Sequence, residues 1–212
     1  MTTALCSSPG HPAAMPGAGA TWGPAAPPSP GGEGPRILVV FAGLHGSTRE
    51  IAARLARSLT CSGAGRRIGL TAALVPAQQR PDPAPFDAVV LGSAVYGGRW
   101  LAPAVSYLET YAATLARRST WSFSSGLCSR SSVPPLGVEP SPLMHVSIGP
   151  RQHRWFAGRL ERRLLSAGER RALEGHPPSV DHRDWQGVHQ WADEIAGALK
   201  AADVRSRRHD VA

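Results

Sequence analysis

The sequence predicts an α/β fold, with a five-stranded parallel sheet of order 2-1-3-4-5 between two layers of helices. Short apolar runs rich in β-branched residues, at 37–41 and 86–93, have the length and composition of strands that are buried on both faces. Between such runs lie segments whose apolar residues recur at helical spacing, and this alternation is typical of a parallel sheet covered by helices. Right-handed crossovers then leave only a few possible strand orders.

Each element is predicted from its own pattern. Strands are expected at 37–41, 67–74, 86–93, 120–125 and 143–148. Helices are expected at 47–60, from about 101 to 115 and from 184 to about 202, where apolar residues recur every three to four positions. The basic stretch 156–173 is also helix-prone, with a break near Gly168. Stretches rich in glycine, proline or serine, at 61–65, 76–85 and 127–142, are predicted loops.

One domain is the simplest organisation for 212 residues. Residues 1–35 hold eight prolines and seven glycines without hydrophobic periodicity, which predicts a disordered N-terminal extension. We expect a folded domain at 36–202 and a polar tail at 203–212. The chain has no apolar run near the roughly 18 residues that span a bilayer and no secretory signal, so a cytoplasmic protein is expected. Its three cysteines have no metal-binding spacing, which predicts reduced thiols.

The chain is strongly basic, with 23 Lys and Arg against 15 Asp and Glu and a net charge of +8. The segment 149–172 carries seven arginines against two glutamates, a local charge of +5. A positive rim would suit an anionic substrate, such as a porphyrin with propionate groups, or an anionic membrane surface. The alternative is an ordinary solvated helix face. Aromatic residues are not interleaved with the charges, so nucleic acid is not an expected partner.

The junction between the first strand and the first helix is the first candidate site. Ser47 and Glu50 have the spacing of a capping box, which predicts a helix that begins at this point. A tight turn at 42–46 followed by a helix N-terminus directs backbone N–H groups at one spot, with the positive end of the helix dipole behind them. Two interpretations stay open for this stretch: a phosphate site, or a well-capped junction with no ligand.

Three loops at the carboxyl ends of the strands, 42–48, 93–98 and 124–128, should lie together beside the switch in strand order. None contains a carboxylate, which argues against a Mg²⁺-dependent phosphoryl acceptor. The signatures of P-loop nucleotidases, Rossmann dinucleotide sites and α/β-hydrolases are absent. The loops offer glycines, hydroxyls, backbone N–H groups and Tyr96, a set suited to holding a phosphate and a flat ring that carries the chemistry.

Several stretches resemble a known family. Residues 41–52 resemble the FMN phosphate loop of flavodoxins. With 87–100, 121–126, 153–160 and 184–195 they resemble the flavodoxin-like branch that includes menaquinone-dependent protoporphyrinogen oxidase, over about residues 36–200. The resemblance implies an FMN-dependent oxidoreductase that could oxidise protoporphyrinogen IX, in heme biosynthesis, with a quinone as acceptor.

The resemblance also implies which residues would bind FMN. The phosphate would lie on 44–48 and the flavin ring between the 93–98 and 124–128 loops. The implied cofactor-binding residues are Leu44, His45, Gly46, Ser47, Thr48, Ser93, Ala94, Val95, Tyr96, Gly97, Ser124, Ser125 and Gly126. The family usually has Ser or Thr at the position of Gly43, so the loss of that hydroxyl predicts weaker FMN binding. No catalytic side chain is implied, because the flavin carries the chemistry.

Other interpretations remain beside this one. The chain could be a non-catalytic flavodoxin-type electron carrier that docks a redox partner, or a fold kept for interaction alone. His45 could lend charge to the phosphate or be a solvent-facing turn residue. Tyr96 could stack on the flavin or be a surface tyrosine at a strand end. No metal is expected at His176 or His182, which have no partner spacing for a metal.

Overall fold

The computed structural model describes residues 34–126, 153–172, 174 and 179–209. In chain order the strands and helices are β1 (Arg36–Ala42), α1 (Ser47–Cys61), α2 (Gly63–Arg67), β2 (Thr71–Pro76), a 3-10 turn (Ala77–Gln79), β3 (Ala88–Tyr96), β4 (Arg99–Trp100), α3 (Ala102–Leu115), β5 (Ser119–Gly126), β6 (His153–Ala157), β7 (Arg159–Glu161), a 3-10 turn (Arg162–Leu164), α4 (Ala167–Ala172), β8 (Ser179–Asp181) and α5 (Trp185–His209).

The central sheet has the order β2-β1-β3-β5-β6, and all four of these pairings are parallel. Counted along the parallel strands alone this is 2-1-3-4-5, so the predicted fold class is confirmed. The two-residue strand β4 adds an antiparallel pairing to β3, after a turn in which Gly97 and Gly98 have φ of 55° and 76°. Strands β7 and β8 pair with each other in a separate antiparallel ribbon.

The alternation of side chains along β1 explains why the sheet has helices on both faces. Ile37, Val39 and Phe41 point to a cluster formed with α1 and α5, whereas Leu38 and Val40 point to a second cluster formed with α3. Because every residue from 37 to 40 is fully buried, β1 can only be a central strand. The apolar stripe predicted for the last helix faces the first cluster, through Val188, Trp191, Ile195 and Leu199.

The fifth parallel strand is not where the sequence pattern placed it. The strand expected at 143–148 lies outside the described residues, and β6 is formed by His153–Ala157, which pairs with β5. The helix expected at 156–173 is therefore wrong over most of its length; among its described residues, the only α-helix is α4, Ala167–Ala172. The reason is tertiary: Phe156 is buried against Phe123 and Trp191, with ring centroids 5.8 and 5.5 Å away. Burial among aromatic side chains outweighs a local helical preference.

Smaller differences concern the ends of elements. The loop expected at 61–65 contains the short helix α2, whose first turn is capped by the Ser62 hydroxyl, a 2.8 Å acceptor for the Gly65 N–H. The last helix continues to His209 rather than ending near 202. Cys61, predicted to be a reduced thiol, is disulfide-bonded. The described helices include none that is both long and apolar enough to cross a bilayer.

Candidate functional site

The strand register brings the predicted loops to one edge of the sheet. Phe41 lies beside Gly92, and Gly92 lies beside Phe123, so β1, β3 and β5 end together. Two contacts join the loops directly. The hydroxyls of Thr48 and Ser125 are 2.7 Å apart, and the rings of His45 and Tyr96 meet edge to face with centroids 6.2 Å apart. The 42–48 loop, which we name the phosphate-side loop, therefore contacts both the 93–98 loop, which we name the ring-side loop, and Ser125 near the end of β5.

Backbone N–H groups at the start of α1 form the most distinctive feature of this edge. Gly46 is the N-cap and has φ of 84°, a left-handed conformation that favours glycine. The first helical bond runs from the Glu50 N–H to the Gly46 carbonyl, at 3.0 Å. Within the described part of the chain, the N–H groups of residues 44–48 donate to no other protein group. Since Leu44 is 60% exposed, this row of donors at the positive end of a helix dipole can receive an anion.

The predicted capping box is wrong. Gly46, not Ser47, caps α1, and no side chain bonds to the cap. The Ser47 hydroxyl oxygen instead accepts the N–H of Arg159 at 2.9 Å, and the Glu50 carboxylate is bound by Arg159 and Arg183. A hydroxyl that accepts one bond still has its own proton to donate, so Ser47 remains available to an anion at the loop.

Thr48 occupies the space beside Gly43. The Thr48 side chain is buried, and a Cβ atom added to Gly43 would lie 2.8 Å from Thr48 Cβ and 2.9 Å from its Oγ1. A serine or threonine at 43 would therefore collide with Thr48. Position 43 can therefore carry no side chain as long as Thr48 fills the space beside it. The Thr48 hydroxyl is hydrogen-bonded to the Ser125 hydroxyl.

Some of the residues that the resemblance implied for cofactor binding have internal roles. Ser93 is fully buried; its hydroxyl donates to the Ala94 carbonyl at 2.9 Å and accepts the Leu101 N–H at 3.0 Å. The Ser124 hydroxyl accepts the indole N–H of Trp100 at 2.8 Å. These bonds fix β4 and the start of α3. The site's accessible groups are therefore Leu44 to Ser47, Val95 to Gly97 and Gly126, and their binding of a cofactor stays a prediction.

Sequence reasoning missed a third part of the site, which we name the cap segment: residues 158–172 and 179–183. Its main chain starts beside the sheet edge, where the Gly158 N–H donates to the Gly126 carbonyl at 2.7 Å. Arg159 then binds Ser47 and Glu50 in the first turn of α1. No sequence pattern predicts the contacts of Arg159, because they join residues more than one hundred positions apart.

Arg183 holds the other end of the cap segment against α1. Its side chain is only 6% exposed, and its guanidinium lies 2.5 Å from both Asp181 and Glu50. It also stacks over Trp185, 4.5 Å from the ring centroid. Burial lowers the pKa of Arg183, but the hydrogen bonds to the two carboxylates outweigh that effect and the pKa is raised overall. Arg183 therefore stays charged and ties α1 to the cap segment.

We expect Arg183→Met to lower the free energy of unfolding by about 1 kcal/mol, because the partly exposed Asp181 loses its arginine partner and Glu50 loses one of two. The measurement is chemical denaturation of the purified protein. Arg163→Met is the matched control: Arg163 pairs with Glu161 but is 81% exposed, so a change within about 0.5 kcal/mol is expected. Equal losses for the two variants would contradict a special role for Arg183.

Glu169 on α4 reaches the phosphate-side loop. Its Oε1 atom lies 2.8 Å from His45 Nε2, and its Oε2 accepts the Ser166 N–H at 2.8 Å. The hydrogen bonds from His45 and then from Ser166 lower the pKa of Glu169 to about 2. Burial, followed by the charge of Glu169, raises the pKa of Tyr96. Glu169 is thus close to both loops of the site.

The low pKa of Glu169 predicts a pH effect on stability. A carboxyl whose pKa falls from its ordinary 4.5 to about 2 on folding stabilises the folded state above pH 4.5, and this contribution is lost as the pH drops toward 2. We expect Glu169→Gln to be less stable than the parent protein at pH 6, with a difference that shrinks to nothing near pH 2. Denaturant titrations at several pH values measure it; a difference that does not depend on pH would rule out the pair.

Part of the predicted positive rim is paired with carboxylates among the described residues. Three arginines of the basic segment pair with carboxylates: Arg154 with Glu194, Arg159 with Glu50 and Glu161, and Arg163 with Glu161. Arg162 and Arg170 donate to backbone carbonyls. The residues that the structure describes contain no group of three or more His, Cys, Asp or Glu side chains that could hold a metal ion.

Comparisons with known proteins agree on the fold. A family model described as a flavodoxin domain matches residues 38–175. An archaeal flavodoxin superposes with a TM-score of 0.50 at 12% identity, over 78% of this chain and 99% of its own. Flavodoxin 1 from Bacillus cereus gives 0.47 at 14%, over 79% and 97%. The likeness to the archaeal flavodoxin shows the fold alone.

A longer protein also matches. Rubredoxin oxygen:oxidoreductase from Desulfovibrio gigas superposes with a TM-score of 0.49 at 16% identity, over 80% of this chain. The chain spans only 37% of the length of that protein. No curated protein matches the sequence.

Proposed function

The chain belongs to the flavodoxin-domain family, whose model covers residues 38–175, and on that premise we propose that residues 44–48 bind the phosphate of FMN in an oxidoreductase. The observation that carries the proposal is the row of N–H groups at 44–48 with no protein acceptor in the described part of the chain. Backbone N–H groups near an accessible helix N-terminus suit a phosphate dianion.

The chain's own residues would bind and orient the cofactor. The amides of 44–48 and the Ser47 hydroxyl would donate to the phosphate, and the Arg159 N–H that bonds to Ser47 Oγ keeps that hydroxyl in place. Tyr96, 40% exposed beside His45, would offer its ring to one face of the flavin. The backbone at 94–97 and 124–126 would line the space for the flavin ring. FMN, when bound, supplies the electron-transfer chemistry.

A titration that compares FMN with riboflavin tests the phosphate site directly. The two ligands share the flavin ring and differ by the phosphate. We expect FMN to bind about one hundredfold more tightly, since hydrogen bonds to a charged group contribute more than neutral ones. Quenching of flavin fluorescence measures both affinities. Equal affinities for the two ligands would contradict the proposed phosphate site. If neither ligand bound, the proposed flavin function would be wrong.

The finer part of the proposal concerns the substrate. We propose protoporphyrinogen IX as electron donor and a quinone as acceptor, in the cytoplasm with peripheral contact to an anionic membrane. The support is the motif resemblance at 87–100 and 184–195, together with the net charge of +8. The FMN-loaded protein should oxidise protoporphyrinogen faster with a menaquinone analogue than without one. Tight FMN binding without such turnover would favour the electron carrier that docks a redox protein.

A further inference from the structure

Glu169, on α4, contacts the phosphate-side loop. Its carboxylate is 2.8 Å from His45 Nε2 on that loop, and its charge also acts on Tyr96 of the ring-side loop. The rings of His45 and Tyr96 meet edge to face, which joins the two loops. A ligand that bound to both loops, as FMN would, would lie close to these three side chains.

We propose that Glu169 is an internal gate, whose carboxylate holds α4 over residues 44–48 and is released when a phosphate group binds there. That the phosphate belongs to FMN rests on the proposed function. The gate itself requires only that some phosphate group binds at residues 44–48. A carboxylate and a phosphate dianion repel one another. A phosphate bound to the amides of 44–48 therefore disfavours the position in which Glu169 contacts His45, and that contact in turn weakens phosphate binding.

The anchors of the cap segment show which part can move. Arg159 is bound to Ser47 and Glu50, and Arg183 is bound to Glu50; none of these bonds involves α4. By contrast α4 has only six residues and is mostly exposed, and among the described residues its one hydrogen bond to the phosphate-side loop is made by Glu169. A short, exposed element with few buried contacts opens at low cost in free energy. The gate is therefore α4, while the rest of the cap segment stays in place.

The test removes the gate and measures binding with two probes. Glu169→Ala and the matched control Glu174→Ala each delete one carboxylate, but Glu174 is exposed and makes no contact with the loop. FMN affinity is measured by fluorescence, and inorganic phosphate by NMR shifts of the amides of residues 44–48. We expect Glu169→Ala to bind both probes about fivefold more tightly than the parent chain, as loss of a partly exposed ion pair would give. Glu174→Ala should match the parent.

The outcomes separate the gate from the flavin function. If Glu169→Ala binds phosphate more tightly and no variant binds FMN, the gate stands and the flavin function falls. If FMN binds the parent chain and Glu169→Ala binds it equally or less tightly, the gate is overturned and the flavin function stands; weaker binding would mean that Glu169 positions His45 for the ligand. If neither probe binds any variant, both are overturned.

Discussion

Replacing Gly92 with alanine is expected to lower the free energy of unfolding by about 3 kcal/mol, because the added methyl group has no space. A Cβ atom at this position would lie 2.1 Å from Cζ and 2.2 Å from Cε1 of Phe123. Phe123 is fully buried and packs edge to face against Phe156 and Trp191, so its ring cannot turn away. Denaturation with urea, followed by tryptophan fluorescence, measures the loss.

Two variants keep this prediction testable even if the single variant does not fold. Gly197→Ala is the matched control: a Cβ there meets nothing within 4 Å, and removal of a glycine from the interior of α5 should stabilise the protein by about 0.5–1 kcal/mol. Phe123→Leu added to Gly92→Ala makes room at the contact and should recover part of the loss. A Gly92→Ala protein as stable as the parent would show that β3 and β5 are less closely packed than the structure indicates.

Introducing the hydroxyl that the family usually carries, through Gly43→Ser, is expected to weaken FMN binding about thirtyfold, equivalent to roughly 2 kcal/mol. The resemblance alone predicts the opposite, a gain of one hydrogen bond to the phosphate. The structure reverses the expectation because the new Cβ would collide with Thr48. Displacing Thr48 breaks its 2.7 Å bond to Ser125 and leaves buried hydroxyls without partners. Titration of each variant with FMN measures the effect.

Thr48→Val separates the lost hydrogen bond from the collision. Valine keeps the shape of threonine and removes only the hydroxyl, so we expect a smaller loss of FMN affinity than for Gly43→Ser. Its unfolding free energy should fall by about 1 kcal/mol. If Gly43→Ser binds FMN more tightly than the parent chain, the added hydroxyl contributes more than the collision costs. The claim that a side chain at 43 displaces Thr48 would then be wrong.

The layers of the fold were readable from local patterns. The apolar run at 37–41 and the stripe through Val188, Trp191 and Ile195 each require burial on their own, whatever the rest of the chain does. The rule that parallel strands end together then placed the loops 42–48, 93–98 and 124–128 side by side, and the register confirms this for the described residues up to 126. By itself, therefore, the sequence determined the order of the sheet and which strand ends lie together, but not the residues of the fifth strand.

The structure alone decided what covers that site. Residues 156–173 have a helical pattern, yet Phe156 joins the aromatic cluster as part of β6 and so sends the cap segment over α1. There Glu50 binds Arg159 and Arg183 instead of capping its own helix, and Glu169 binds His45. These partners are separated by more than one hundred positions, and no period or spacing along one chain records them. Their pairing is fixed only when the packed core brings the ends of the strands to one edge.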